Sequence, residues 1–530
     1  PPQPRGPPMT LKTRLLVVST AGLFAAAPAV AKPLDGASTD VMIQGFHWNS
    51  ASAGGWWNTV KNNAAAVKAA GFTMIWLPPP SDAASTQGYL PRQLNVLNSS
   101  YGTEAELTQA LAALNAQGVK PIADIVVNHR VGTANWADFT NPTWSGCSAV
   151  AAGDEWPSAC GNADSGEGYA AARDLDHSQA NVRADLKTWM GTRLKGVGFA
   201  GWRFDFVKGF AGSYVKEYVT ATDPWFCVGE FWPTNYFDAN NPNNWKQQIT
   251  NWVDATTGSC AAFDFATKGL LNDALTNNNY TRLKASDGKP AGGIGWWASR
   301  HVTFVDNHDT GPSETCGNGQ NHWPVPCTKV MTGYAYVLTH PGIPTVYWGH
   351  YFNWGLGSSI KTLMDIRKNA GLTSESTVSI QRAESGLYAA IIGGKVAVKL
   401  GTGSWTPGTG WTQAATGTDY TVWTTNTPPP TGTTANVEFV CNNGTTVMGQ
   451  NVYVTGSVAE LDTWSPTTTK ILSPTAYPTW RGTYALPANT TVQWKCLKRD
   501  GSGNVVWQGG GNNTVTTPAA GGSITATASF

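Results

Sequence analysis

The sequence predicts a multidomain protein: a (β/α)₈ TIM barrel with a short inserted loop domain, a small antiparallel β domain and a C-terminal β-sandwich. Three observations support this prediction. Apolar, strand-like runs alternate with helical patterns from about residue 40 to residue 367. Short β-like pieces then replace the helices up to residue 426, and alternating strands with frequent Gly and Pro turns fill residues 435–530. Strand–helix units in series are typical of a barrel, and turn-rich alternating strands are typical of a sandwich.

The predicted barrel occupies residues 32–367, and its strands are short apolar runs. They cover residues 41–46, 72–77, 121–127, 202–206, 226–229, 261–265, 302–305 and 343–347. Residues 104–116 and 180–195 lie between such runs and have the apolar spacing of amphipathic helices. One connection, at about residues 130–176, is too long for an ordinary loop, so we expect a small inserted domain there.

Composition marks the boundaries of the remaining domains. Residues 368–426 alternate in the manner of short strands and predict the antiparallel β domain. Residues 427–434 read Thr-Pro-Pro-Pro-Thr-Gly-Thr-Thr, which is typical of a linker that is first stiff and then flexible. The sandwich is predicted to follow this linker and to occupy residues 435–530.

Composition also excludes some classes of partner. Charged residues are only 13% of the chain and the formal net charge is +1, so no basic surface for nucleic acid is expected. The hydrophobic fraction of 41% is ample for a large core. The 25 tryptophans are an unusually large number, which suits a protein that stacks on sugar rings, although tryptophan is also a common core residue.

Residues 1–31 are interpreted as a leader and a secretory signal peptide. Met9 precedes two basic residues, residues 15–27 are apolar or small, and Ala29-Val-Ala31 has the form of a cleavage site. The apolar stretch is too short for a membrane helix. We therefore expect a secreted protein with no membrane partner.

An exported chain can form disulfides, and this chain has eight cysteines. Their spacing leaves the connectivity open. The simplest pairing joins Cys147 to Cys160, Cys227 to Cys260, Cys316 to Cys327 and Cys441 to Cys496. No C-x-x-C spacing is present, so a zinc site is not expected.

Three of the apolar runs end in acidic residues. Arg203 precedes Asp205 by two positions, so the two side chains point to the same side of a strand. An arginine in that position keeps a carboxylate ionised, as a nucleophile requires, although an isolated R-x-D is equally compatible with a structural ion pair. Glu230 and Asp309 end the other two runs, and a barrel would bring all three acids to one end.

Four segments, in their order and spacing, resemble the signature motifs of the glycoside hydrolase family 13 α-amylases. They are residues 124–129, 201–209, 228–232 and 304–309. Residues 76–80, 295–297 and 350–355 particularly resemble the plant-type amylases, and the last domain resembles the family 20 starch-binding modules. The resemblance spans about residues 40–426 together with the tail, and implies a secreted amylase that acts on starch and related α-1,4-glucans.

The resemblance implies a role for each acid. Asp205 is the expected nucleophile, Glu230 the general acid/base and Asp309 the stabiliser of the transition state. A retaining glycosidase needs one ionised and one protonated carboxyl flanking the scissile bond. Arg203 should keep Asp205 ionised, and neighbouring acids should raise the pKa of Glu230.

Further residues match family positions that bind the sugar at the cleaved bond. Tyr89 is expected to stack under this sugar with Trp48 nearby, and His129 and His308 to bind its hydroxyls. Lys208 matches a residue that contacts sugar on the leaving-group side, and Arg203 completes the expected substrate site.

The inserted domain resembles the family's calcium site. Calcium is bound by six to eight oxygen ligands. The resemblance assigns Asn128, Asp164, Asp174 and the Gly209 carbonyl as ligands of one Ca²⁺ that ties the insertion to the strand before Asp205.

In the tail, aromatic residues match the two sugar sites of starch-binding modules. The first site is expected to contain Trp464 and Trp507 with the polar neighbours Lys495 and Asn513, and the second to contain Tyr453 and Tyr477. Trp480 and Trp494 fit better as core residues.

Three functions are compatible with the sequence. The leading one is endohydrolysis of α-1,4-glucosidic bonds by a retaining double displacement, by a protein that is a monomer. An exo-type maltooligosaccharide-forming amylase is the alternative within the same class. A non-catalytic α-glucan-binding protein is the remote alternative, and its mark would be a missing catalytic acid.

Overall fold

The structure is a computed structural model that describes residues 32–152, 154, 156, 161–425, 434–488, 490–518 and 522–530. The expected leader and signal peptide at residues 1–31, most of the expected linker (residues 427–433) and Cys160 lie outside the described residues.

Eight parallel strands close into a barrel in chain order. They are β1 (Met42–Gln44), β2 (Met74–Leu77), β3 (Lys120–Ile125), β4 (Gly201–Phe204), β5 (Cys227–Gly229), β6 (Ala261–Phe263), β7 (His301–Phe304) and β8 (Ile343–Tyr347). Ile43 of β1 lies opposite Ile75 of β2 on one side and Val346 of β8 on the other, which closes the ring. Each predicted apolar run overlaps one of these strands, and the strands at Lys120, Gly201 and His301 begin one residue before the predicted run, so the predicted barrel is confirmed.

Helices surround the barrel and cover the outer faces of its strands. They are α1 (Trp56–Ala70), α2 (Glu104–Ala116), α3 (Ala180–Thr188), α4 (Gly212–Thr222), α5 (Asn243–Ala255), α6 (Phe265–Asn277), α7 (Val330–Thr339) and α8 (Gly357–Asn369). The predicted helix at 104–116 coincides with α2, whose start is fixed because Thr103 and Glu106 each accept the other's backbone N–H. The predicted helix at 180–195 begins as α3 and continues as a wider π turn over Trp189–Leu194.

The long connection after β3 folds back on the barrel. The short strand His129–Arg130 pairs antiparallel with Arg173–Asp174, which brings both ends of the insertion together. Inside it, Arg173 Nε lies 2.5 Å from Asp154 Oδ2, and both side chains are almost fully buried. A buried pair of this kind fixes the path of a segment that has little regular structure.

Five antiparallel strands follow the barrel. They are β9 (Val378–Glu384), β10 (Leu387–Ile392), β11 (Val396–Leu400), β12 (Trp411–Gly417) and β13 (Tyr420–Thr425), and their order in the sheet is β9-β10-β11-β13-β12. The buried residues of this sheet continue the barrel core. At the junction the Thr332 hydroxyl of α7 donates to the Thr418 carbonyl at 3.0 Å.

The tail is a sandwich of two sheets with a core of its own. Its strands are β14 (Thr434–Asn442), β15 (Asn451–Gly456), β16 (Ser473–Ala476), β17 (Thr479–Pro487), β18 (Thr491–Arg499), β19 (Val505–Trp507), β20 (Asn513–Thr516) and β21 (Ser523–Ser529). One sheet has the order β16-β17-β14-β21, and in the other β18 pairs with β15, β19 and β20. Trp480 and Trp494 are buried between the sheets, so their predicted core role is confirmed.

Three of the four expected disulfides are present. Cys227–Cys260 links β5 to the start of β6, Cys316–Cys327 closes the loop after β7, and Cys441–Cys496 joins the two sheets of the sandwich. The fourth expected pair includes Cys160, which the structure does not describe. Among the helices that the structure describes, none has the length and apolar character needed to span a bilayer.

Candidate active site

The three acids singled out in the sequence meet at the carboxyl end of the barrel. Asp205 directly follows β4, Glu230 directly follows β5, and Asp309 lies in the loop after β7. All three line a cleft of about 440 Å³. This is the end of the barrel at which active sites form, because the loops that follow the strands converge there.

Arg203 forms ion pairs with two of these acids and with Asp124. Its Nη1 lies 2.7 Å from Asp205 Oδ1 and 2.7 Å from Asp124 Oδ1, and its Nη2 lies 3.0 Å from Glu230 Oε2. The predicted alignment of Arg203 and Asp205 on one side of the strand is therefore confirmed. The arginine is fully buried and lies over the Trp76 ring at 4.6 Å, so its position is fixed by packing as well as by charge.

Burial raises the pKa of every carboxyl in the cleft. It raises the pKa of Asp205 to about 6, that of Glu230 to about 7 and that of Asp309 to about 8, and Arg203 opposes each rise. The expected rise at Glu230 is present, but its main cause is burial rather than the neighbouring acids. Arg203 contacts Asp205 at 2.7 Å and Glu230 at 3.0 Å, so its charge favours the ionised form of both carboxyls.

Aromatic rings form one wall of the cleft. Tyr89 lies in the loop between the short paired strands Asp82–Ala83 and Pro91–Gln93. Its ring is parallel to those of Trp48 and His308, with centroids at 6.3 and 5.3 Å. The Tyr89 hydroxyl donates to Asp124 Oδ2 at 2.9 Å, which fixes the ring. The wall offers flat apolar surface of the kind on which sugar rings stack.

The two histidines lie in different positions. His308 lines the cleft, with its Nε2 3.3 Å from Asp309 Oδ2 and its Nδ1 3.0 Å from Gln44 Nε2. His129 lies behind Tyr169, on which it stacks at 4.0 Å, and its Nε2 lies 2.8 Å from the Tyr89 carbonyl. Burial lowers the pKa of His129 to about 4 and also lowers that of His308, so both rings are neutral near pH 7.

Lys208 lies at the opposite wall. Its Nζ donates to the Thr234 hydroxyl at 2.5 Å and lies 3.4 Å from Glu167 Oε2 in the insertion. Glu167 also accepts a hydrogen bond from Thr234. The lysine therefore links the insertion to the loop after β5 while it lines the cleft.

Several residues that line the cleft were missed by sequence reasoning. They are Tyr169, Phe206, Trp232, Pro233, Thr234 and Gln320. Trp232, Pro233 and Thr234 lie within four residues of Glu230 in the sequence. This short separation from a predicted catalytic residue could have identified them as cleft residues. Tyr169 and Gln320 come from irregular loops in which no periodic pattern marks a functional position.

Three of the expected calcium ligands, Asn128, Asp174 and Gly209, lie together where the insertion meets the barrel. Asn128 Nδ2 donates to Asp174 Oδ1 at 3.0 Å, and Asn128 Oδ1 is a buried oxygen with no hydrogen-bond partner. A Cβ on Gly209 would lie 2.0 Å from that oxygen, so the backbone of Gly209 approaches it closely. Asp164 precedes Gly166, which packs on Gly209. This oxygen-rich donor set suits a hard cation, although the described residues contain no cluster of three His, Cys, Asp or Glu side chains able to hold a metal.

The expected sugar sites of the tail contain aromatic residues that are at least partly exposed, and polar residues that hydrogen-bond to the neighbouring backbone. Trp507 and Tyr477 are 40% and 55% exposed, and Trp464 is half-buried. Lys495 Nζ donates to the Gln508 and Gly510 carbonyls at 3.1 and 2.6 Å.

The other polar and aromatic residues of these sites are held by neighbours. Asn513 Nδ2 donates to Trp494 O at 3.2 Å, and one face of Tyr453 is covered by the guanidinium of Arg499 at 4.0 Å. Lys495 and Asn513 therefore support the loop after Trp507.

Comparison with known proteins agrees with each part of the architecture. Residues 40–143 match the alpha amylase catalytic domain, residues 369–424 match the alpha-amylase C-terminal beta-sheet domain, and residues 434–527 match the starch binding domain. Among solved structures, gamma-CGTase from alkalophilic Bacillus clarkii shares the fold with a TM-score of 0.54 at 16% identity, over 94% of this chain and 99% of that one.

Relatives of similar sequence cover the barrel and, in one case, the tail. The chain is 42% identical to Probable alpha-amylase 2 of Arabidopsis thaliana, over 72% of this chain and 94% of the relative. It is 34% identical to the glucan 1,4-alpha-maltotetraohydrolase of Stutzerimonas stutzeri, over 90% of this chain and 91% of the relative. The chain therefore belongs to the α-amylase family of glycoside hydrolases and carries a C-terminal starch-binding domain.

Proposed function

We propose that the protein is a secreted, endo-acting α-amylase that hydrolyses α-1,4-glucosidic bonds in starch and related glucans with retention of configuration. The observation that carries the proposal is the cleft in which Arg203 joins buried Asp205 and Glu230 beside Asp309. A non-catalytic glucan-binding protein would not need three acids with ordered pKa values in one cleft.

The roles are those of the matching family positions, and the raised pKa values of Asp205 and Glu230 are compatible with them. Near neutral pH Asp205 is ionised and can attack the anomeric carbon, while Glu230 holds a proton in a large fraction of molecules and can give it to the leaving oxygen. Water then cleaves the glycosyl–enzyme bond, and Glu230 takes the proton from that water. Asp309 stabilises the transition state by hydrogen bonds to the sugar hydroxyls, because a carboxyl with a pKa of about 8 is largely protonated near neutral pH.

The contacts between the two main carboxyls support retention. One guanidinium contacts both carboxyls, Asp205 Oδ1 at 2.7 Å and Glu230 Oε2 at 3.0 Å. An inverting enzyme needs about 6.5–9.5 Å between its carboxyls to admit a water, and a retaining enzyme needs only about 5–5.5 Å. The close pair in this cleft favours direct attack by Asp205.

The remaining cleft residues position the sugar. The ring of Tyr89 supports the sugar at the cleaved bond, with Trp48 beside it, and His308 binds its hydroxyls. Lys208 contacts the sugar on the leaving-group side. His129 acts mainly by holding Tyr89 and Tyr169, because its ring lies behind them.

A calcium ion is proposed at Asn128, Asp164, Asp174 and the Gly209 carbonyl. The buried, unpartnered oxygen of Asn128 supports this site. When bound, the ion supplies structural support and takes no part in the reaction. Its ligands come from the insertion and from the segment after Asp205, so these residues hold two walls of the cleft at a fixed distance.

The tail is proposed to hold the enzyme on starch. Trp464 and Trp507 form one sugar site, supported by Lys495 and Asn513, and Tyr453 and Tyr477 contribute to a second. A module joined by a linker raises the local concentration of enzyme at the polymer without changing the chemistry. The disulfides agree with export to an oxidising environment.

The test compares the native protein with Glu230→Gln, following viscosity and released oligosaccharides on soluble starch in the presence of calcium. We expect rapid loss of viscosity with mixed products, and a loss of rate of about 10²- to 10⁴-fold in the variant. An inactive native protein that still adsorbs to starch would leave a binding protein and end the proposal.

A second candidate is an exo-type maltooligosaccharide-forming amylase. The observation in its favour is the 34% identity to a maltotetraohydrolase along nearly the whole chain. Slow loss of viscosity with one dominant short product would establish it in the same experiment.

A further inference from the structure

Lys268 is a fully buried lysine on α6 that does not line the catalytic cleft. Its Nζ lies 2.7 Å from Asp306 Oδ1, and neither side chain has any exposed surface. Asp306 lies two residues after the end of β7 and three residues before Asp309. The pair therefore joins α6 to the loop that brings Asp309 to the cleft. None of the roles assigned above uses it.

The surroundings of Lys268 do not favour a lysine. It lies near the amino end of α6, four residues after Asp264, which caps the helix by accepting from Thr267 N at 2.8 Å. The amino end of a helix repels a cation, and a buried ion pair often stabilises a fold no more than apolar side chains of the same volume. Burial lowers the pKa of Lys268 and raises that of Asp306. Such departures from the rules of stability are typical of residues with a functional role.

Asp306 joins the two arms of the loop after β7. Its Oδ1 accepts from the Thr310 hydroxyl at 3.2 Å in the outgoing arm, and both of its carboxyl oxygens lie 3.3 Å from Val325 N in the returning arm. The arms are also bonded directly to each other, because His322 N donates to the Asp309 carbonyl at 3.0 Å. The ion pair with Lys268 thus anchors both arms of the loop on α6.

The backbone of Asp309 is held on both sides. Its N–H donates to Asn307 Oδ1 at 3.0 Å, and its carbonyl accepts from His322 N. Asn307 Oδ1 also accepts from Thr310 N at 2.9 Å, and Asn307 N donates to the Thr310 hydroxyl at 3.0 Å. Residues 306–310 are therefore one rigid turn, and a shift of Asp306 moves Asp309 with it.

We propose that Lys268 is a positioning residue: through Asp306 it fixes the turn at residues 306–310 on α6, and so holds the Asp309 carboxyl where it contacts the sugar in the transition state. The inference rests on the proposed function, because it needs Asp309 to act on a glucan. Lys268 does not touch the substrate, so its loss should slow the chemical step and leave the binding of sugar nearly unchanged. Misplacement of a reacting group by about 1 Å can lower a rate by about 10²-fold.

The first test is Lys268→Met, which keeps the length of the side chain and removes its charge. In the presence of calcium, and at a temperature where near-UV circular dichroism shows the variant to be folded, we measure kcat and KM on maltoheptaose. We expect kcat to fall by about ten- to hundredfold and KM to stay within about threefold of the native value, because the aromatic wall of the cleft is untouched.

Lys246→Met is the matched control. Lys246 on α5 is also buried, and its Nζ donates to the Ala291 carbonyl at 2.9 Å, outside the loop that carries Asp309. Both variants should melt at a lower temperature than the native protein. Only Lys268→Met should lose kcat, so a loss of stability alone would not explain its effect.

A double-mutant cycle shows whether Lys268 acts through Asp309. Lys268→Met is made in the native chain and in Asp309→Asn, and the residual activity of each variant is measured by product release from labelled maltoheptaose. Residues that act as a unit have non-additive effects. We expect Lys268→Met to lower the kcat of Asp309→Asn by less than about threefold. An equal loss in both backgrounds would overturn the inference, since Lys268 would then act on something other than Asp309.

A second variant covers the case in which Lys268→Met does not fold because Asp306 is left buried without its partner. Lys268→Met/Asp306→Asn removes both charges and keeps an oxygen for Val325 N, so it should fold, and its kcat should be as low as that expected for Lys268→Met. A kcat within about twofold of the native value in either folded variant would overturn the inference and leave the proposed function standing. A native protein without activity would end both.

Discussion

The catalytic cleft and the sugar sites of the tail are proposed to bind the same polymer, but their surfaces differ in chemical character. In the cleft, buried carboxyls surround a buried arginine, and burial raises the pKa of Asp205, Glu230 and Asp309. In the tail, Trp507 and Tyr477 expose flat rings to solvent. Bond cleavage requires charged groups that are buried away from water. Adsorption requires apolar ring faces that stay exposed to water until the sugar binds. The two regions should therefore respond differently to the same disturbance.

The largest expected difference between the two regions is in the loss of stability when one arginine is replaced in each of them. Arg203→Leu leaves three acids with no cation, so Asp205 gains its proton and loses nucleophilicity. We expect the turnover number to fall by about 10²- to 10³-fold and the free energy of unfolding to fall by about 3–5 kcal/mol. Kinetics on a soluble oligosaccharide and denaturant unfolding measure both effects.

Arg481→Leu in the tail is the matched control. Arg481 forms a pair with Glu438 at 3.3 Å, with side chains 46% and 36% exposed, and such a pair contributes less than about 1 kcal/mol. Equal losses of stability in the two variants would contradict the contrast between a buried and an exposed pair.

Removal of calcium should lower the stability of the barrel and leave the stability of the tail unchanged. A chelator that withdraws an ion present at about 100 times its dissociation constant costs about 2.7 kcal/mol of folding free energy. We expect the barrel to melt at a lower temperature and the tail transition to keep its position. Asp174→Asn should reproduce the shift without chelator, and an unchanged barrel transition in both experiments would remove calcium from the proposal.

The pH dependence should also differ. As pH rises, kcat/KM increases while Asp205, with a pKa of about 6, loses its proton, and decreases once Glu230, with a pKa of about 7, loses its own. The profile should be a narrow bell that changes about tenfold per pH unit outside these limits. Adsorption to granules over the same pH range should stay level, because stacking on ring faces depends on apolar contact rather than on a charge. A plateau of kcat/KM well above the pKa of Glu230 would exclude it as the proton donor.

The smallest effect is expected in the tail. Trp507→Ala removes one stacking ring, so the ratio of activity on granules to activity on soluble starch should fall by about three- to tenfold. Trp507→Tyr keeps an aromatic ring and should retain most of the ratio. If the ratio is unchanged in Trp507→Ala, adsorption to granules depends on the second sugar site, which contains Tyr453 and Tyr477.

The strand ends were predictable because alternation and apolar runs are local properties of the chain. They gave the barrel, the common side of Arg203 and Asp205, and the meeting of three acids at one end. Tyr169 and Gln320 were not predictable in this way, since their loops reach the cleft only through tertiary packing. The raised pKa of Glu230 was expected from the sequence, but its main cause was not, because burial depends on what surrounds a side chain rather than on its neighbours in sequence.

The arrangement of strands in the tail has a mechanical consequence. The first strand, β14, lies between β17 and β21, with eight paired residues on one side and seven on the other, and Cys441 near its end is linked to the opposite sheet. When starch holds the tail and the rest of the molecule pulls at its amino end, the load runs along β14. All the hydrogen bonds beside it are then strained together in shear instead of opening one by one. We therefore expect the tail to resist unfolding when it is pulled at its amino end.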